Sequence, residues 1–253
     1  MAKRQSRHLL LLFIQIAITF FYSIAIIQMT VVLFTEDRDI FISGILGYLS
    51  QGILLIIALV PQIVLRLKRK IHTQDGEIYP LLFTVLALQA SLIIPQYTKI
   101  TGTYILDPSS LLVLERFAIV CSASIFLLSA LRFYGLVSSR SSLHTFLVIG
   151  SALILCILAP INSNQEIGHP FMSSYDAYLQ MATLLMYVAT IATMIISATK
   201  DKTASNTKRC ISFICFIIGL YLAATSSLIP VLFSILLYIG GIVLLISSTE
   251  ESF

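Results

Sequence analysis

Long uninterrupted apolar runs alternate with short polar connections along this chain, and the runs set its architecture. They predict spans at about 9–34, 40–65, 79–95, 111–137, 143–160, 176–198, 210–225 and 228–248, each of a length suited to a hydrocarbon core of about 30 Å. The last apolar block, Cys210 to Ser248, exceeds what one tilted helix can use. It divides near Thr225-Ser226-Ser227, with Pro230 opening the final helix. The expected fold is an all-α, polytopic transmembrane helical bundle of eight spans, with seven as the alternative. It forms a single integral membrane domain over 1–253, with no sizeable soluble domain.

Within the spans, polar positions recur at helical spacing. The central run, Leu111 to Val137, carries Glu115, Arg116 and Arg132, whereas the other apolar runs lack charge. At a helical turn of about 100° per residue, Glu115, Ala118, Ser122, Ile125, Ser129 and Arg132 share one face. Similar stripes run through Gln15, Thr19, Tyr22, Ile26 and Met29, through Gly44, Tyr48, Gln51, Leu55, Ala58 and Gln62, and through Gln180, Thr183, Tyr187 and Met194. The simplest role for such faces is packing, since small and polar residues hold helices together in lipid. The alternative is that Gln51, Glu115, Ser122, Arg132, Gln180 and Tyr187 line a cavity for a small polar solute.

Composition turns these runs into a membrane assignment: 58% of residues are hydrophobic and 11% charged. The mean hydropathy of +0.96 lies outside the range of soluble domains. Charge then gives orientation. With the N-terminus in the cytoplasm and eight spans, thirteen of the 16 Lys and Arg residues fall inside, Arg38 and Lys99 fall outside, and Arg116 lies within a span. Both termini are then cytoplasmic. The cluster Arg66, Lys68, Arg69 and Lys70 is read as a topology and lipid-headgroup anchor. The net charge of +4 serves topology and implies no nucleic-acid partner. The expected partners are the lipid bilayer and a protein subunit.

Lys3, Arg4 and Arg7 precede an apolar run with no convincing cleavage site, so the first helix is expected to be retained. Asn162, Asn164 and Asn206 lack a hydroxyl residue two places on, which favours a bacterial cell (inner) membrane. Cys121, Cys156, Cys210 and Cys215 show neither metal-ligand spacing nor a disulfide framework, and His8, His72, His144 and His169 are scattered. HExxH, GxSxG and phosphate-binding glycine loops are missing. The expectation is a non-enzyme with no cofactor and no metal. The polar stripes favour a small-solute transporter or permease subunit; the alternative is a non-catalytic membrane sensor, scaffold or assembly factor.

Overall fold

In the computed structural model, residues 2–35, 52–64, 67, 79–103, 105–136, 141–159, 174–223 and 228–250 are described, and all regular structure among them is helical. The helices are α1 (Ala2–Thr35), α2 (Gly52–Val64), α3 (Tyr79–Leu88), α4 (Ile93–Thr101), α5 (Pro108–Phe133), α6 (Ser141–Leu158), α7 (Ser174–Lys200), α8 (Ala204–Ala223) and α9 (Leu228–Glu250). A 3-10 turn, Gln89–Leu92, joins α3 to α4.

Local chemistry sets the ends of α5. Asp107, in an extended conformation, accepts from the Ser110 backbone N–H at 3.0 Å and from the Ser109 hydroxyl, and Pro108 follows where a missing N–H costs nothing. At the other end Gly135 takes φ +87°, a left-handed conformation that favours glycine. It lets Gly135 N–H reach Arg132 O and Leu136 N–H reach Leu131 O, each at 3.0 Å. That pairing is a Schellman stop, which satisfies carbonyls the helix would otherwise leave open.

Among the described residues, three helices are long and apolar enough to cross a membrane: Leu9–Thr35, Ser109–Phe133 and Ala177–Lys200. This finding corrects the expectation of eight spans, and of seven with it. The apolar helices Gly52–Val64, Tyr79–Leu88, Leu143–Leu158 and Leu232–Ser248 are of 10–17 residues, so the longest rises only about 25 Å. Hydropathy measures the length of an apolar run and is blind to where the backbone breaks within it. The 79–95 run shows this, because its α-helix stops at Leu88.

The protein is a helical, multi-pass membrane protein, and burial identifies its centre. In the most apolar window of α5, 67% of residues are buried, against 17% in α1 and 22% in α7. Exposed Phe13, Phe20, Phe34, Phe146 and Leu158 form an apolar periphery suited to lipid.

Two apolar cores flank the α3–turn–α4 rod. One joins Leu82, Phe83 and Leu86 of α3 to Phe126 of α5, Phe213 and Phe216 of α8 and Tyr238 of α9. The other joins Ala87, Ala90 and Ile93 to Tyr22, Ala25 and Met29 of α1 and Leu55 and Ala58 of α2. The helix breaks where the rod passes from one core to the other.

Candidate functional site

Phe126 is fully buried, and its ring meets Phe213 edge-on at 5.5 Å and Tyr187 at 6.0 Å. Edge-to-face packing of this kind fixes ring position as well as burying area. The phenol of Tyr187 is thereby held against Ser122, one turn from Phe126 on α5, with the two oxygens 3.1 Å apart. Gln89, the first residue of the 3-10 turn, donates its Nε2 amide to the same Ser122 oxygen.

Proton counting settles who donates. A serine hydroxyl has one proton and two lone pairs. Ser122 donates to Ile119 O at 2.8 Å, so it accepts from both Gln89 and Tyr187. Ser122 thus joins the two others in a triangle of amide, hydroxyl and phenol where the rod, α5 and α7 meet. Ser122 is fully buried, whereas Gln89 and Tyr187 are half-buried, so approach is from their side.

The other residues singled out in the sequence do not join this triangle. Glu115 is 1% exposed, its Oε1 accepts no hydrogen bond, and it lies seven residues from Ser122, about 10 Å along α5. Arg132 is half-buried at the opposite end of the helix, about 15 Å from Ser122. Gln180 is exposed on α7. The buried seam of that helix follows Leu179, Thr183, Thr190, Met194 and Ser197, and Gln180 sits on its flank. Gln51, Arg66, Lys68, Arg69 and Lys70 lie outside the described residues.

Sequence reasoning missed Gln89 as a site residue. The signal was a lone amide within the run FTVLALQASLII. Of a second polar cluster only Gln62 stood out, as a stripe member: its Nε2 donates to Pro80 O at 2.8 Å and to Thr84 Oγ1 at 3.0 Å. All four cysteines are free thiols, and no group of three or more His, Cys, Asp and Glu residues suited to a metal occurs among the described residues.

Cations collect at one end of the bundle. Lys200, closing α7, lies 5.1 Å from the Tyr134 ring centroid, and the Arg209 guanidinium of α8 lies 5.1 Å from that of Phe133. Arg132 precedes these two aromatics, and Tyr79, which opens α3, packs 6.0 Å from Phe133. Ser205 donates to Ser248 O at 2.7 Å, which brings the end of α9 to the start of α8. Comparison with protein families, with curated proteins and with solved structures finds no match for this chain.

Proposed function

We propose that the protein is a small-solute transporter or permease subunit of a cell (inner) membrane, working without enzymatic chemistry and alongside a protein partner. The observation that carries this reading is the break at Gln89–Leu92, which coincides with the Gln89–Ser122–Tyr187 triangle at the middle of the most buried span. A 3-10 interruption inside a helix is a common hinge, and discontinuous helices near the bilayer midplane are where transporters place substrate sites. The triangle is built of neutral hydrogen-bonding groups. A solute bearing a hydroxyl or amide can exchange bonds with it without leaving a buried group unpaired.

Orientation follows from the cationic end. Arg132, Lys200, Lys208 and Arg209, near helix ends, and Lys202 in the α7–α8 connection gather there, and the positive-inside rule supports a cytoplasmic face. Gln28, late in α1, accepts from Tyr97 of α4 at 2.9 Å, which puts the late part of α1 at the other end. The start of α1 and the end of α9 are then both cytoplasmic.

Cysteine substitution at positions 122 and 187, in a chain lacking native cysteines, tests the site. A water-soluble thiol reagent is expected to modify both in the folded protein. Failure at both removes the transporter reading and leaves the stripes as packing surfaces of a non-catalytic sensor, scaffold or assembly factor.

A further inference from the structure

Gln15 of α1 is fully buried, and neither its Oε1 nor its Nε2 has a hydrogen-bond partner. Native structures pair nearly all such groups with protein or with a bound molecule, so an amide open at both ends asks for a guest.

Two registers locate it. Gln28 of α1 meets Tyr97 of α4 near the end of α1, and α3 also packs on α1, so α3 lies along the earlier part of α1 and the two rods run the same way. Thirteen residues back from each are Gln15 and Thr84. Gly52 of α2 faces Ile26 of α1 so closely that a Cβ there would lie 2.7 Å from Ile26 Cδ1. Gln62, ten residues on from Gly52, bonds Pro80 and Thr84 at the start of α3, so α2 runs opposite to α1, and eleven residues from each contact are Gln15 and Ile63, the neighbour of Gln62. The counts put Gln15 level with Thr84 on α3 and with Ile63 on α2, and thus level with the Gln62–Thr84 pair, whose members bond each other at 3.0 Å.

The donors already there are used. Gln62 gives its amide protons to Pro80 O and Thr84 Oγ1, and Thr84 gives its hydroxyl proton to Pro80 O at 2.7 Å. Nothing is left over for Gln15 Oε1. A guest must therefore donate to one end of the Gln15 amide and accept from the other, and both ends are neutral.

We propose that Gln15, beside the Gln62–Thr84 pair between α1, α2 and α3, is a binding site for a small uncharged hydroxyl or amide group, water being the smallest member of that class. The site lies apart from the Gln89–Ser122–Tyr187 triangle and stands without it.

The test uses the full chain, free of native cysteines, in lipid nanodiscs. Q15C is treated with 2-hydroxyethyl methanethiosulfonate, a neutral, hydroxyl-bearing thiol reagent, and A25C serves as a buried apolar control on the same helix. Modification of Q15C at least about tenfold faster than A25C is expected, because thiol reactivity follows access. Equal rates overturn the proposal. Added glycerol or urea that slows Q15C labelling identifies a solute site, whereas unchanged labelling identifies water, and both outcomes keep the class of guest. Should Q15C not fold, the unfolding midpoint of Q15L decides. A midpoint at or below that of the parent is expected, because the guest's bonds are lost; a rise of several degrees means a dry, unpaired amide and overturns the site. Labelling at position 122 is read separately, so either site can fail alone.

Discussion

Gln89 donates its side-chain amide to Ser122 across the interface between a broken rod and the most buried span. The bond ties the point where the rod stops being α-helical to the middle of α5. The two apolar cores meet at that same point, with Leu86 belonging to one and Ala87 to the other. A rigid α-helix would pass from core to core without a joint. Here the joint is pinned by one serine, and any motion of the α1–α2 side against the α5–α9 side has to strain or exchange that bond.

Coupling between Ser122 and Tyr187 is measurable directly. S122A, Y187F and the double variant, unfolded reversibly in detergent, form a cycle whose interaction term reports their bond. A coupling of about 0.6–2 kcal/mol is expected, the range for hydrogen bonds between membrane helices. Additive effects would show that the 3.1 Å approach carries no energy.

Phe126 is the packing residue on which the triangle depends. It is fully buried and its ring meets those of Tyr187, Phe213 and Phe216, so one side chain ties α5 to α7 and α8. F126A is expected to cost about 3–5 kcal/mol of stability, the range for removing a buried aromatic ring. F126L, which refills part of the volume, is expected to fold while losing the Ser122–Tyr187 coupling measured by the same cycle. Intact coupling in F126L would show that Tyr187 is held by something else.

Much of the helical content and of the buried faces was legible in the sequence. Gln15, Tyr22 and Met29 on α1, and Leu55, Ala58 and Gln62 on α2, are buried at the spacing of their stripes. Periodicity reads these faces because 3.6 residues per turn fixes which side chains share a side. The number of spans was not legible, since apolar composition continues through Gln89–Leu92 although the α-helix does not. Gln180 stays outside the triangle for a related reason. Its angle lies near that of Tyr187, but only the longer tyrosine reaches back to α5, and the seam runs through Leu179 and Thr183 instead.

Asp107 caps α5 outside the span, and the side-chain and backbone hydrogen bonds from Ser109 and Ser110 lower its pKa from 3.8 to about 2. A depressed folded value means that the cap's contribution is complete above the unfolded value and is lost as pH falls through about 2. Between roughly pH 5 and 8 the carboxylate stays ionised and its effect is constant. At neutral pH, D107A is expected to speed hydrogen exchange at the Ser110 amide, while D107N, which keeps an acceptor, changes it far less. Equal protection in D107A and the parent would show that the first turn of α5 is held by packing alone.

Adjacent glycines on α9 provide the last test, because they share a sequence context and differ in surroundings. A Cβ at Gly240 would meet nothing within 4 Å. One at Gly241 would lie 3.1 and 3.3 Å from two carbons of the Phe216 ring and 3.3 Å from Ser212 O. Ser212 also donates to Gly241 O at 2.7 Å, so the two backbones are held at the distance glycine allows, as small residues do between membrane helices. G240A removes a flexible residue from a helix interior and is expected to stabilise by about 0.5–1 kcal/mol. G241A forces either the ring or the α8 backbone to move and is expected to destabilise by about 1–3 kcal/mol. Unfolding midpoints of the two variants should therefore move in opposite directions. A shift of the same sign and size in both would mean that α8 and α9 are not in close backbone contact at this level.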